Sequence, residues 1–267
     1  MKLEILASCR QNWQLIKRLS EREIRAKYRG SMLGATWSVI NPLLMLAIYT
    51  FVFSTIFKAR WQAGADTTST GYALNLLAGL TLFNCFAECA TAAPSLILTN
   101  SSYVTKVVFP LEVLGIVRLA SASFNMLISI VILAAFQLFA TSTLHATYLF
   151  LPLILAPFLL GVLALTWLLS AFAVYLRDIG QLMNFATSAL MFLSAIFYPI
   201  SSLPAAWQPW IGANPIAVAV EQFRSVIISG NQPSHAFIVL GTVATFAAAE
   251  ASLRLFKRLS NGFADVL

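Results

Sequence analysis

The stretch Tyr148–Val174, YLFLPLILAPFLLGVLALTWLLSAFAV, decides the fold class of this protein. Its 27 residues include no charged side chain and almost all of them are apolar. An α-helix rises about 1.5 Å per residue, so about 20 apolar residues are enough to cross the roughly 30 Å hydrocarbon core of a bilayer. The stretch is therefore predicted to be a transmembrane helix.

Five further apolar stretches of similar length lie on either side of this one. The six predicted transmembrane helices are 35–57, 72–98, 113–140, 148–174, 179–200 and 236–256. Of the 267 residues, 59% are hydrophobic and only 10% are charged, and the mean hydropathy is +0.81. So few charges cannot cover a water-facing surface, which excludes a soluble enzyme, a disordered tail and a disulfide-stapled secreted domain. We predict an all-α integral membrane protein with its transmembrane domain over 35–256.

The segment 201–230, between the fifth and sixth predicted spans, has a different pattern. Its apolar stretch Trp210–Ile228 is cut short by Pro209, Pro215 and Gly230, and Glu221 and Arg224 lie inside it. A charge at the middle of a bilayer costs about 2.5–3.5 kcal/mol, and this pair offsets that cost only if protein or water shields it. Irregular backbone is tolerated at membrane depth when protein buries it. We predict an outer re-entrant helical element here rather than a seventh span.

The basic residues predict the orientation of the spans. The chain has 17 Lys and Arg against 10 Asp and Glu, a net charge of +7. With six spans and an internal N-terminus, 14 of the 17 fall in the inner segments, and only Lys58, Arg60 and Arg224 lie outside. Because Lys and Arg concentrate on the cytoplasmic side, we predict that both termini, including the tail 257–267, are cytoplasmic. The positive charge then indicates topology and not a nucleic-acid partner. The four inner segments are 1–34, 99–118, 175–178 and 254–267.

The N-terminal segment 1–34 combines basic side chains with an apolar stripe. Trp13, Ile16, Leu19 and Ile24 approximate one face of a helix, and eight Lys and Arg lie among them. Such a helix is predicted to lie in the membrane interface, with its basic residues against anionic head groups. The alternative is a simple anchor that keeps the N-terminus inside. The first long apolar run begins only near Ala35, so a cleavable signal peptide is not expected.

Residues for catalysis, cofactor binding or metal binding are not expected in this chain. No G-x-x-x-x-G-K-[ST] phosphate loop occurs, so a nucleotide site is not predicted. His145 and His235 have no neighbours at ligand spacing, which argues against a metal site. Two of the three cysteines, Cys85 and Cys89, lie four apart in an apolar run and are interpreted as packing residues.

Several motifs together point to a known family. REIRAKYRGSMLG at 22–34 runs into Trp37, an Asn-Pro-Leu at 41–43 and YTFVF at 49–53. YVTKVVFP follows at 103–110, and YLRDI, FYP and NP follow at 175–179, 197–199 and 214–215. With these motifs, the chain resembles the permeases of ABC exporters that move polysaccharides such as O-antigen and teichoic acid.

The resemblance implies an assembly. Two permease copies form the channel, and two separate ATP-binding subunits hold the ATP and Mg, so this chain is expected to be a transport subunit and not an enzyme. The loop 99–112 resembles the segment that couples such permeases to their ATPase. Its apolar side chains look like anchors for a partner surface, although a loop resting on lipid head groups is the alternative. The coupling residues are Tyr103, Val104, Lys106, Val107, Phe109, Pro110 and Glu112.

The expected substrate is a glycan on a polyprenyl-diphosphate lipid, moved from the cytoplasm across the bacterial inner membrane. Basic residues before the first span are predicted to receive the diphosphate; this diphosphate site is Arg22, Arg25, Lys27 and Arg29. The aromatic residues near the re-entrant element suit either an interfacial belt or stacking against sugar rings. The resemblance assigns an outer gate and glycan path to Tyr198, Pro199, Trp207, Trp210, Glu221 and Arg224.

Other transport functions stay open at this level. The exporter is alternatively one for a small molecule or a lipid. A secondary transporter would need ion-coupling groups and usually inverted repeats, and only Glu88 is a candidate; it lines a path, pairs with Arg118 or Arg224, or stays protonated. A membrane enzyme acting on polyprenyl lipids would need clustered carboxylates or a histidine. Glu250, near the inner end of the sixth span, is expected either to snorkel to the interface or to pair with Arg254, one helical turn on.

Overall fold

The computed structural model describes residues 4–29, 33–52, 61, 69–105 and 109–267, and these residues form helices and connecting turns with no strand. Twelve α-helices are present in the described part of the chain. In order they are α1 (Glu4–Gln11), α2 (Trp13–Tyr28), α3 (Trp37–Thr50), α4 (Ser69–Leu96), α5 (Ser101–Thr105), α6 (Glu112–Thr141), α7 (Leu151–Tyr175), α8 (Ile179–Leu193), α9 (Gln208–Gly212), α10 (Pro215–Ile227), α11 (Thr242–Ser260) and α12 (Phe263–Val266).

Four helical segments are long and apolar enough to cross a membrane. They are Thr70–Leu96, Glu112–Thr141, Ala146–Tyr175 and Phe237–Ser260, and they correspond to four of the six predicted spans. The other two predicted spans contain shorter apolar helices, α3 with 14 residues and α8 with 15. The chain is therefore an all-α, multi-pass membrane protein.

The predicted fifth span, 179–200, is not one continuous helix. Helix α8 ends at Leu193, and Ala195 follows with a φ of +52°, in the left-handed region. A non-glycine residue in this region cannot continue a right-handed helix. The helix therefore ends seven residues before the predicted end of the span.

Helix α4 is the central helix of the bundle. In the most apolar part of its segment Thr70–Leu96, 72% of the residues are buried within the chain. The same fraction is 22% for the segment Phe237–Ser260, which contains α11. It packs against α3, α6, α7, α8 and α10, so protein surrounds it on most sides. Cys85 and Cys89 of α4 are buried, as predicted for packing residues.

Polar contacts gather the predicted inner segments at one end of the bundle, which we call the basic end. The Tyr175 hydroxyl donates to the Leu259 carbonyl over 2.9 Å, which joins the end of α7 to the end of α11. The Arg22 guanidinium donates to the Tyr103 hydroxyl over 3.2 Å, which joins α2 to α5. At the opposite end, the Thr147 hydroxyl donates to the Val226 carbonyl over 2.6 Å.

Some residues of the apolar stripe in the N-terminal segment pack against the protein, and others are exposed. Ile16 is buried against Val113 and Val117 of α6, and Leu19 packs on the same cluster. Trp13 is 64% exposed. Helix α2 therefore docks on the bundle through part of the stripe that was predicted to face lipid.

Both ends of α10 contact the opposite end of the bundle. At its start, the Asn214 side chain caps the helix by accepting from the Ile216 N–H, and it also donates to the Leu193 carbonyl at the end of α8. At its other end, the Ile227 carbonyl accepts from the Gln137 amide over 3.0 Å. This 13-residue helix is too short to cross a bilayer.

Candidate functional site

Glu88 of α4 is the centre of a polar cluster that joins three helices. Its carboxylate lies 3.0 Å from Lys27 Nζ of α2 and 3.4 Å from Arg118 Nη2 of α6. The Asn125 amide of α6 donates to the other carboxylate oxygen over 2.9 Å. Arg118 also binds Glu23 of α2, with a separation of 3.1 Å. We call these five residues the central cluster.

The contacts of Glu88 include one of the two pairings that the sequence analysis considered for it. The carboxylate pairs with Arg118, as one alternative held, and not with Arg224. The cluster contains two cations and two carboxylates, so its charges balance. Glu88 therefore has charged partners on two other helices, which a charge within a predicted span requires.

A cavity of about 190 Å³, with both polar and apolar lining residues, adjoins the central cluster between α2, α3, α4 and α6. Asparagines from three of these helices line it: Asn41, Asn84 and Asn125. Sequence reasoning missed these three residues, although a sign was present, because each is an amide within an otherwise apolar predicted span. Trp37 and Lys27 also line the cavity.

The structure does not bring the four residues of the diphosphate site together. Arg22 and Arg25 lie on one face of α2, and Arg29 directly follows the helix as its C-cap residue, with an extended backbone. Arg25 and Arg29 are exposed and form no ion pair with any other described residue, whereas Arg22 contacts Tyr103. Lys27 instead turns into the bundle and binds Glu88.

The coupling segment packs against the chain itself at the basic end. The rings of Tyr103 and Phe109 stack with centroids 4.5 Å apart and an angle of 11°. These rings and Val104 contact an apolar cluster that includes Phe256 and Phe263. Packing within the chain therefore accounts for part of the apolar character of this loop. Pro110 is partly buried, and Lys106 and Val107 lie outside the described residues.

Glu112, the last predicted coupling residue, belongs to a second charged cluster. Its carboxylate lies 3.6 Å from Lys257 Nζ and accepts from the Ser8 hydroxyl over 3.1 Å. Its carbonyl accepts from the Trp167 indole over 2.9 Å. The start of α6 is therefore tied to α1, α7 and α11, directly after the coupling segment.

Glu250 holds the N-terminal helix in this second cluster. Its carboxylate accepts from the backbone N–H groups of Glu4 and Ile5 over 2.9 and 3.2 Å, and so caps the start of α1. The predicted pair with Arg254 is confirmed at 2.9 Å. Lys257 also lies 3.4 Å from the Glu4 carboxylate.

Arg224, which the sequence analysis assigned to the outer gate and glycan path, is a buried residue at the end of the bundle opposite the basic end. Its side chain is buried, and the guanidinium donates to three carbonyls: Asn75 over 2.9 Å, Ala195 over 2.7 Å and Ile196 over 2.7 Å. It also lies 4.3 Å from the centroid of the Trp61 ring. No ion pair joins it to another described residue. It acts as a clamp that fixes α10 to α4 and to the turn after α8.

The other residues of the predicted outer gate are more accessible. Trp207 and Trp210 are 62% and 76% exposed. Glu221 is exposed on α10, and Pro199 is partly exposed. The Tyr198 hydroxyl donates to the Phe192 carbonyl over 2.7 Å, which folds the tyrosine back onto the end of α8. The exposed indoles are free to contact lipid or a ligand.

Comparison with known proteins covers most of the chain. The sequence profile of the ABC-2 type transporter family matches residues 14–228. The O-antigen export system permease protein RfbA of Klebsiella pneumoniae is 22% identical over 256 residues, covering 96% of this chain and 95% of the relative. The protein of the same name from Myxococcus xanthus is also 22% identical, over 94% of each chain. Because the family profile spans far more than half of its length, the chain belongs to the ABC-2 type transporter family.

Proposed function

We propose that this chain is the membrane permease subunit of an ATP-driven exporter that moves a polyprenyl-diphosphate-linked, O-antigen-like polysaccharide out of the bacterial cytoplasm. The observation that carries this proposal is the match to O-antigen export permeases over 94–96% of both chains.

The functional assembly contains two copies of this chain and two ATP-binding subunits, which bind the ATP and Mg. The chain itself carries out no catalysis. The coupling segment is fixed to other parts of this chain, because Glu112 and Tyr103 link it to α11 and α2. If a bound ATPase moves the coupling segment, these contacts would transmit the movement to α11 and α2.

The chain crosses the inner membrane six times, with α3 and α8 as parts of the two shorter spans and α10 as an outer re-entrant element. The basic end faces the cytoplasm, so both termini are cytoplasmic. The clustering of the four inner segments at one end supports this orientation, since they hold most of the basic residues. A cysteine-accessibility scan checks it, and labelling of the C-terminal tail from outside intact cells would contradict it.

The arginine face of α2, which we define as Arg22 and Arg25 of the helix together with Arg29 directly after it, receives the diphosphate of the substrate lipid. Guanidinium groups bind phosphate oxygens through paired hydrogen bonds, and none of these three forms an ion pair with a carboxylate among the described residues; Arg22 contacts the Tyr103 hydroxyl. At the opposite end, Trp207 and Trp210 form part of the exit for the glycan, where their exposed rings suit stacking against sugars.

Deletion and complementation test the function. A strain that lacks the chain should lose its surface polysaccharide and accumulate lipid-linked glycan inside, and the wild-type chain should restore export. The triple variant Arg22→Gln/Arg25→Gln/Arg29→Gln should assemble with the ATPase but export poorly. The matched control removes the same charge at Arg10, Lys17 and Arg18 and should export normally. Unchanged surface polysaccharide in the deletion strain would refute the proposal.

A further inference from the structure

Asn84 is an unusual residue within the central helix. From Tyr72 to Ala90, it is the one exposed residue in a run that is otherwise buried or partly buried. Its amide has no hydrogen-bond partner among the described residues. An amide without a hydrogen-bond partner is costly inside a membrane, because the hydrocarbon core contains no water that could replace the missing hydrogen bonds.

Asn41 of α3 repeats this arrangement on the facing side of the same cavity. It lines the cavity, is exposed, and has no hydrogen-bond partner in the part of the chain that the structure describes. Two amides that line one space from two different helices, without partners among the described residues, point to a ligand with hydrogen-bonding groups of its own. Each amide offers both donors and an acceptor.

The charge of the cavity favours an uncharged ligand. Lys27 and Glu88 are the charged residues that line it, and they neutralise each other across 3.0 Å. A diphosphate would have to displace the Glu88 carboxylate or lie beside it, and like charges at that distance repel. Hydroxyl groups face no such cost, because they both donate and accept.

The cavity also provides an aromatic surface. Trp37 lines it with a partly exposed indole, next to the amides. Its volume of about 190 Å³ is below the roughly 300–1,000 Å³ of pockets for drug-sized ligands. A single sugar ring fits these features, since it has one less polar face for stacking and a rim of hydroxyl groups.

We propose that this cavity is a binding site for one uncharged sugar unit, held by Asn41, Asn84 and Glu88 and stacked on Trp37. The inference rests on the proposed export of a lipid-linked glycan. It separates two parts of substrate recognition: the arginine face of α2 binds the diphosphate, and the neutral cavity binds a sugar. A sugar there would also contact the cluster that ties α2 to α4 and α6.

Saturation-transfer NMR on the purified chain with its ATP-binding partner tests the site. The probes are a panel of methyl hexosides and methyl N-acetylhexosaminides, with inorganic pyrophosphate as competitor. We expect at least one glycoside to bind with a Kd on the order of 1 mM, because a ligand of this size gains little free energy in total. Pyrophosphate should not displace it.

The double variant Asn41→Ala/Asn84→Ala should weaken glycoside binding about 10-fold or more, through the loss of two hydrogen bonds. Neither amide bonds to described residues, so the thermal stability of the variant should match the wild type. The control, Asn184→Ala, changes an exposed asparagine of α8 that does not line the cavity, and should bind like the wild type.

Two results would overturn the site: no glycoside binds the wild type, or the double variant binds as tightly as the wild type. Displacement by pyrophosphate would equally overturn it, in favour of an anion site. These outcomes are independent of the export test. A deletion strain without surface polysaccharide, together with glycoside binding that the double variant keeps, would remove the sugar site and leave the proposed function intact.

Discussion

Arg224 offers the sharpest test of how this bundle is held together. The substitution Arg224→Met keeps a long, flexible side chain of similar reach but removes every donor. The guanidinium contacts three carbonyls. The Asn75 carbonyl lies within α4, so it keeps the hydrogen bond that it accepts within the helix. The carbonyls of Ala195 and Ile196 lie in the buried turn after α8 and lose their donors.

The cost can be worked out from these two carbonyls. A buried polar group left without a partner costs about 1–3 kcal/mol, so the two together cost about 2–6 kcal/mol. Methionine recovers part of this, because a guanidinium no longer has to be removed from water. We expect a net loss of about 3 kcal/mol, which for a chain of this size lowers the Tm by about 6–12 °C.

Thermal unfolding in detergent, followed by circular dichroism, measures this effect. Arg224→Lys should fall between the wild type and Arg224→Met, because an ammonium group cannot match the planar set of donors. The control Glu221→Gln changes an exposed neighbour on the same helix and should stay within about 0.5 kcal/mol of the wild type. If Arg224→Met melts with the wild type, or if Glu221→Gln is equally unstable, the clamp is refuted.

Three further predictions follow from contacts of the same kind. Gly79→Ala would place a Cβ 2.6 Å from the Arg224 guanidinium and should lower the free energy of unfolding by about 1–3 kcal/mol. In the control Gly161→Ala, the new Cβ makes only an ordinary contact of 3.5 Å, so the stability should stay that of the wild type. Glu88→Gln should leave the two cations of the central cluster without their shared carboxylate and should lower the free energy of unfolding by about 1–2 kcal/mol. Trypsin should then cleave α2 faster than in the wild type, whereas the control Glu21→Gln, at an exposed position, should leave both the stability and the cleavage rate unchanged. Glu250→Gln should remove about 1 kcal/mol from the cap of α1 and raise hydrogen exchange of the first capped amides about 5-fold.

Each of these three predictions has a result that would contradict it. Equal melting of Gly79→Ala and Gly161→Ala would mean that the guanidinium shifts without cost. Cleavage of α2 at the wild-type rate in Glu88→Gln would show that apolar packing alone holds the helix. Exchange at α1 should respond to Glu250→Gln and not to Glu88→Gln; the same response to both would mean that the two clusters are not separate.

Local patterns in the sequence were enough for several features. The pair of Glu250 and Arg254 follows from four-residue spacing, which places both side chains on one helix face wherever the helix lies. The long apolar stretches predicted the spans for a similar reason, since length and apolarity are properties of each segment alone. The short α8 was not predicted, because the clamp that shapes its end comes from a residue about thirty positions further along.

The amino-acid sequence by itself determined that the protein is a helical membrane protein with most of its positive charge in four segments. Tertiary structure alone decided the roles of Glu88, Arg224 and the cavity asparagines. The partners of Glu88 on α2 and α6 lie 61 and 30 positions away, and one carbonyl held by Arg224 lies 149 positions away. A charge or an amide in an apolar run shows that a partner or ligand is needed, because the membrane cannot solvate it. Which partner it finds depends on how the helices pack, and that packing also leaves the two amides facing an open cavity.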